Sequence, residues 1–208
     1  MKMNSFESDM KRAICSVNFI IALVVECGIL CCAGWESELF RVSVPVLSSF
    51  PYSTAWLNEY QSGFVKEYVV RCGRRSYIWG KLLACGISGG VVLVLAGFFA
   101  QWMGVEPKGN LFLLFFSGMF WAVVAAALAV AANSRYVAYG GSFVLCYLLV
   151  ILYQRYFQAL YCLYPVEWYA PEHTWVFGDT GVLMMMCGWI LVVGIFYYGM
   201  VRRCVENV

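Results

Sequence analysis

Long apolar runs separated by short polar breaks make up most of this chain. A helix needs about 20 apolar residues to cross about 30 Å of hydrocarbon, and four runs reach or approach that length without a break. Two further runs are weaker, because Glu26 interrupts one while prolines and hydroxyl side chains interrupt the other. We therefore predict six membrane-spanning helices, at about residues 17–34, 39–57, 78–103, 111–132, 136–153 and 181–201.

Two segments outside these runs have a different pattern. In residues 3–16, apolar side chains recur at helical spacing between charged ones, which predicts an amphipathic helix on the cytoplasmic membrane surface. Residues 154–179 are dense in aromatic side chains, as is typical of the interface between lipid and water, and Pro165 and Pro171 divide them. We expect an outer helical hairpin there, built either as two short helices or as a re-entrant hairpin. The predicted fold class is an all-α polytopic membrane protein, with residues 1–208 as one transmembrane domain.

The composition supports lipid as the main solvent of this chain. Of its 208 residues, 62% are apolar and 12% are charged, whereas soluble domains have about 45–50% and about 25%. One soluble core cannot hide that much apolar surface. The basic residues lie beside the apolar runs rather than along a nucleic-acid groove, so membrane lipid is an expected partner and nucleic acid is not.

The distribution of Lys and Arg predicts which ends of the spans face the cytoplasm. With six spans and a cytoplasmic N-terminus, the segments on that side hold 11 of the 14 basic residues. The other side holds only Arg41, Lys108 and Arg155. Because cytoplasmic loops are enriched in Lys and Arg, we predict that both termini are cytoplasmic.

Two motifs of nucleotide binding and metal catalysis are missing from the sequence, the GxxxxGK[ST] phosphate loop and HExxH. We expect no catalytic residues on this chain. The ten cysteines include no CxxC pair, and the single His173 cannot supply a zinc site with several imidazoles. Most of the cysteines lie in or beside apolar runs, so we expect free thiols and no metal site.

A charged island at residues 59–81 stands out between the second and third apolar runs. It holds five of the 14 basic residues together with Glu59 and Glu67. A solvated basic loop that only obeys the positive-inside rule is one interpretation. However, such a loop needs only Lys and Arg, whereas this island mixes them with Glu, Gly and aromatic residues. The mixture favours a surface that contacts another protein.

Within the island, Glu59 and Gly63 form an E-x3-G core, a basic stretch ends at Arg74–Arg75, and Lys81 opens the third span. This order of residues resembles the membrane subunit of a type-2 ATP-binding-cassette (ABC) exporter. In that family this stretch is a cytoplasmic coupling helix between spans two and three, here about residues 59–71. The family also has six spans, an amphipathic N-terminal helix and an outer helical hairpin between spans five and six.

The resemblance implies a function and a set of partners. The chain would be a non-enzymatic permease subunit of a bacterial plasma-membrane exporter for an amphipathic cargo such as a small peptide, lipid or drug. It would pair with a second permease subunit, its own copy or a sister chain, and with separate ABC ATPase subunits that hold ATP and Mg. The implied ATPase-docking residues are Glu59, Tyr60, Gly63, Phe64, Lys66, Glu67, Tyr68 and Arg71. Gly63 is expected to allow a close backbone approach, and Arg74, Arg75 and Lys81 are expected to meet the membrane surface.

Polar side chains within the first two spans are candidates for a translocation pathway. These are Glu26, Ser48, Ser49, Tyr52 and Ser53. A carboxylate in a span is costly, so Glu26 should face protein or water. Helix packing through hydrogen bonds is the alternative interpretation for Glu26 and the serines, and an interfacial anchor is the alternative for Tyr52.

Two other classes of function remain open from the sequence. One is a non-catalytic membrane scaffold or immunity protein with no ATPase partner. The other is an ATP-independent carrier, which would be expected to show broken helices in matching halves of the chain. The sequence has no such internal symmetry, so the scaffold is the stronger of the two alternatives.

Overall fold

The computed structural model describes residues 5–206, apart from the side chains of Ser5 and Lys66. Helices account for most of this range, and the predicted all-helical class is confirmed. The α-helices are α1 (Ser5–Ile14), α2 (Val17–Ala33), α3 (Glu38–Ser49), α4 (Ala55–Gln61), α5 (Val65–Cys72), α6 (Arg74–Trp102), α7 (Leu111–Ala132), α8 (Arg135–Arg155) and α9 (Asp179–Glu206). The first two residues of the predicted amphipathic helix lie outside the described range.

Four helices, α6 to α9, are long and apolar enough to cross a membrane. The pair α1 and α2, bent by 52° at their junction, makes a fifth candidate when it is taken as one span. Several apolar helices of this length indicate a membrane location. The structure does not provide six helices of spanning length, and the reason lies in the second predicted span.

The predicted span at 39–57 is broken into two helices. α3 has 12 residues, which extend only about 18 Å at 1.5 Å per residue. It ends at Ser49, because Pro51 has no backbone N–H with which to continue the helical hydrogen bonding. A turn follows, and α4 begins at Ala55. Phe40 packs against Tyr169, whereas Thr54 hydrogen-bonds Tyr139 near the start of α8, so α3 and the turn together run along the bundle.

The predicted single helix at 59–71 is also two helices. α4 ends at Gln61 and α5 begins at Val65, with Gly63 at a φ of +75° between them. Glycine adopts this left-handed conformation without the steric cost that a side chain imposes. No described atom of this chain lies within 4 Å of where a Cβ on Gly63 would be, so the close approach of a partner's backbone stays a prediction. The glycine is required by the turn that changes the chain direction between α4 and α5.

The two ends of the bundle differ in composition. α1, α4, α5 and the start of α6 lie at one end, which we call the α4–α5 end; there Arg74 pairs with Glu206 of α9. The other, aromatic end contains Trp35, the 103–110 loop and residues 156–178. Of the two expected forms, the segment there has two short helices, both 3-10, at Tyr161–Leu163 and Pro165–Trp168, joined by irregular turns rather than a continuous hairpin. Pro165 and Pro171 interrupt the helical hydrogen bonding.

The most extensive packing is between α6 and α7, and small residues make it possible. A Cβ added to Gly89 of α6 would lie 2.5 Å from Cβ of Ala122 in α7 and 2.6 Å from the carbonyl oxygen of Ser48 in α3. Three helices therefore approach one another closely at this glycine. Small residues at helix interfaces are typical of membrane proteins, in which lipid removes the hydrophobic drive between helices. Many side chains of α8 and α9, by contrast, are exposed.

Replacing Gly89 with Ala should destabilise the bundle. The added methyl group needs backbone to shift in α3 and α7, and overpacking of this kind costs about 1–3 kcal/mol. Gly140→Ala is the matched control, because Gly140 lies mid-helix in α8 with no atom within 4 Å of an added Cβ. The control should be neutral or more stable by up to about 1 kcal/mol. Unfolding free energies in lipid bicelles measure both; equal effects of the two substitutions would contradict the three-helix contact.

Candidate functional site

A buried ammonium group lies at the centre of the α4–α5 end. Lys81 is only 2% exposed, and its Nζ lies 2.7 Å from Glu59 Oε1 and 3.3 Å from Asp9 Oδ1. Tyr52 donates a 2.7 Å hydrogen bond to Asp9, and Tyr77 donates a 2.8 Å hydrogen bond to Glu59. We call these five residues the Lys81 cluster. It joins α1, the turn before α4, α4 itself and the spanning helix α6.

Local sequence explains how each helix contributes to this cluster. Tyr77 and Lys81 are four residues apart, so they lie on the same face of α6. Asp9 and Ala13 have the same spacing on α1, and both are fully buried against the bundle. Glu7 and Lys11 of the same helix point to water, where they pair with each other at 2.8 Å. Asp9 is therefore the carboxylate that the amphipathic helix turns inward.

The charges within and beside the cluster balance. Asp9 and Glu59 supply two carboxylates; Lys81 supplies one cation, and Arg12 supplies a second at the rim, 3.4 Å from Glu59. Taking each ion out of water costs several kcal/mol, which excellent geometry and further hydrogen bonds must offset. Lys81 Nζ lies within hydrogen-bonding distance of both carboxylates and of Tyr52 Oη, and Tyr52 and Tyr77 donate to those carboxylates, which meets that requirement. The arrangement makes a rigid connection rather than an exposed reaction centre.

The structure corrects the expectation that Lys81 meets the membrane surface. Its ammonium group is inside the protein because two carboxylates from other helices neutralise it there. Arg74 and Arg75, which were assigned to the same surface, are both exposed. Arg74 pairs with Glu206 at 3.0 Å.

The residues assigned to ATPase docking fall into two groups. Glu59 and Tyr68 are turned toward the bundle, and Tyr60 is half-buried with its ring stacked on Trp56. The exposed group lies at and after the glycine turn. It consists of Gly63, Phe64, Glu67 and Arg71. The backbone of Lys66 lies in α5, and its side chain is outside the described part of the chain.

The pathway candidates lie in the interior between helices. Glu26 is fully buried in α2 and accepts a 3.1 Å hydrogen bond from Ser43 of α3. Ser48 and Ser49 are buried, and each donates to a carbonyl three residues earlier in its own helix. Ser53 is buried in the turn, and Tyr52 belongs to the Lys81 cluster.

Sequence reasoning did not single out two buried carboxylates. One is Asp9, whose only signal is its position on the apolar face of an amphipathic helix. The other is Glu167 at the aromatic end, which is 1% exposed. It accepts hydrogen bonds from the backbone N–H groups of Glu172 and His173 and from Trp175 Nε1, and its other oxygen lies 2.8 Å from His173 Nδ1.

Nothing in residues 5–206 brings together three His, Cys, Asp or Glu side chains in a way that would hold a metal ion. All ten cysteines lie in this range, and none of them forms a disulfide bond there. Comparisons with protein-family models, curated proteins and solved structures found no match to this chain. What this helical protein does must therefore be argued from its own residues, and the Lys81 cluster is the most strongly constrained polar site among those described.

Replacing Lys81 with Met should destabilise the protein by about 3–5 kcal/mol, since it leaves two carboxylates without their buried counter-ion. Lys108→Met is the matched control. Lys108 also contacts two carboxylates, Glu36 at 2.8 Å and Glu172 at 3.3 Å, but its side chain is 47% exposed. Exposed pairs are worth at most about 1 kcal/mol. Unfolding free energies in bicelles separate the two, and comparable losses would show that the Lys81 pairs do not differ from surface pairs.

Proposed function

We propose that this chain is the transmembrane subunit of a bacterial ABC exporter. The observation that carries the proposal is the Lys81 cluster, because its 2.7 Å ion pair connects Glu59 of α4 directly to the spanning helix α6. A transporter driven by separate ATPases needs such a connection between its docking surface and its spanning helices. An isolated basic loop that only satisfied membrane topology would not need a buried ion pair to a spanning helix.

The ATPase would dock on α5 and the glycine turn. Val70 is 86% exposed, and charged Glu67 and Arg71 lie close to it in the same helix. α5 packs on α6 through buried Val65 and Tyr68, so its opposite side is available to a partner. An apolar side chain ringed by charges suits a protein contact, whose core is typically apolar and whose rim is polar.

Force would pass from α5 to the bundle through the Lys81 cluster. ATP binding would bring the ATPases together and displace α4 and α5, and Glu59 would carry that displacement to α6. The ATPase can shift the balance between inward- and outward-open states only by its different affinity for the two. A tight ion pair between Glu59 and Lys81 would move α6 together with α4, whereas flexible side chains would absorb the displacement.

The proposal includes the membrane arrangement. The chain would cross six times, with α3, the turn and α4 completing the second crossing, and the α4–α5 end would face the cytoplasm. A second copy or a sister subunit would bring the total to about twelve crossings. The largely exposed faces of α8 and α9 leave room for lipid and for that subunit. The cargo would be amphipathic or lipidic.

Purification of the tagged chain from its native membranes in a mild detergent tests the proposal. A subunit with a GxxxxGK[ST] phosphate loop should co-purify, and the complex should hydrolyse ATP. Val70→Arg should lower the recovery of that ATPase at least tenfold, because it places a charge at the centre of the contact. Val176→Arg is the matched control, since Val176 is also 86% exposed but lies at the aromatic end. Absence of any ATPase would favour the scaffold alternative and overturn the exporter.

A second substitution separates docking from coupling. Glu59→Gln removes the ion pair to Lys81 but leaves the exposed face of α5 unchanged. We expect normal recovery of the ATPase and a loss of most cargo-stimulated ATP hydrolysis. Glu67→Gln, which alters an exposed carboxylate on α5, should not reduce stimulation in the docked complex. Full stimulation in Glu59→Gln would contradict the coupling route through the Lys81 cluster.

A further inference from the structure

A cavity of about 90 Å³ lies between α3, α8 and the Tyr164–Tyr169 segment at the aromatic end. Most of its lining is apolar, and it includes Val44, Pro45, Trp121, Phe143 and Cys146. A buried water needs about 10–15 Å³, so the space holds several non-hydrogen atoms. The apolar part of the lining suits an apolar chain, while Glu38, Arg41 and Gln154 add polar groups to it.

Two buried hydrogen-bond donors line this cavity without a partner among the described residues. One is the hydroxyl of Tyr169, a residue that is 3% exposed. The other is Nε of Arg41, whose Nη1 is already bonded to Glu38 at 2.7 Å. A buried donor without a partner costs about 1–3 kcal/mol, so such groups are normally satisfied. Two of them beside one cavity indicate a ligand with acceptor oxygens.

The surroundings of the two donors determine which acceptors they suit. Burial raises the pKa of Tyr169, so its phenol stays protonated and donates. The guanidinium of Arg41 is balanced by Glu38, so the rim carries little net charge. The acceptor can therefore be an ester carbonyl as well as a carboxylate.

The position of the cavity shows from which side a ligand enters. Its lining includes Val42, which is 40% exposed, and Tyr147, which is 57% exposed and lies on the open face of α8. Both side chains face the apolar surface of the bundle. The route into the cavity thus starts from surface that a spanning protein presents to lipid, and an apolar chain can follow it without crossing water.

We infer that this cavity binds an acyl-chain amphiphile, with its acid or ester oxygens at Arg41 Nε and Tyr169 Oη and its chain between α3 and α8. The inference does not depend on an ATPase partner. Water is the competing occupant. A neighbouring space of about 10 Å³, lined by Trp35, Arg41 and Tyr169, has room for one water. That water would satisfy the donors and leave the larger cavity empty. An amphiphile would instead fill the larger cavity, so an experiment can distinguish the two occupants.

Photolabelling of the full chain in phosphatidylcholine nanodiscs tests the inference. The two probes are a palmitic acid with a mid-chain diazirine and a phosphatidylcholine that carries the same chain. Peptide mass spectrometry should find label on α3 and α8 around the cavity. Tyr169→Phe should lower this labelling about three- to tenfold, as expected for one lost hydrogen bond, and Arg41→Lys should also lower it while keeping the charge beside Glu38.

Controls are available in the same chain. Tyr136→Phe alters a tyrosine that is 88% exposed at the other end of α8 and should leave labelling unchanged. The apolar groove lined by Leu128, Leu145 and Phe196 gives an internal reference for nonspecific lipid. Tyr169→Phe removes a hydroxyl without a described partner and should not impair folding, so palmitate should raise the melting temperature of the wild type but not of this variant.

The outcomes decide between the two occupants. Labelling of α3 and α8 by the fatty acid alone identifies a free acid, and labelling by both probes identifies any acyl ester; either supports the site. Labelling no stronger than in the groove, or equal in Tyr169→Phe and Tyr136→Phe, overturns it in favour of water. Competition by butyrate as strong as that by palmitate would overturn the acyl-chain assignment.

Discussion

One buried ammonium group constrains the α4–α5 end of this protein. Lys81 is on the spanning helix α6, and removing its charge from water is affordable only when carboxylates surround it. Those carboxylates come from α1 and α4, two short helices that could not hold their positions through their own hydrogen bonds. The ion pairs therefore fix both helices on α6. Tyr52 and Tyr77 complete the arrangement by donating to the same carboxylates.

The middle and the other end of the bundle are held by different means. In the middle, Gly89 brings α6 within contact of α3 and α7, and close packing replaces the hydrophobic drive that lipid removes. At the aromatic end, the carboxylate of Glu167 accepts backbone and side-chain hydrogen bonds from the following residues and so shapes a segment with little regular structure. That segment closes the cavity lined by Tyr169. Polar contacts thus determine the shape of both ends, and packing determines the core.

The sequence predicts the long helices well because their signal is local. The predicted span at 111–132 coincides with α7, since an uninterrupted apolar run needs no partner to define its bounds. The prediction of one continuous second span was wrong, because Pro51 interrupts the helix although the residues around it are apolar. The burial of Lys81 was missed for a different reason. Asp9 is 72 residues away in sequence, and a count of basic residues beside spans cannot reveal which of them is neutralised inside the fold.

These findings divide the E-x3-G pattern into two physical parts. Glu59 faces inward, where its ion pair with Lys81 fixes α4, so its role is to connect rather than to present a surface. Gly63 turns the chain, and only after this turn do exposed side chains such as Val70 and Arg71 follow. In the proposed exporter the docking surface is therefore α5, and α4 connects that surface to the bundle. To transmit a displacement, α4 must be held firmly on α6, and a charge-balanced buried cluster holds it through contacts that water does not readily weaken.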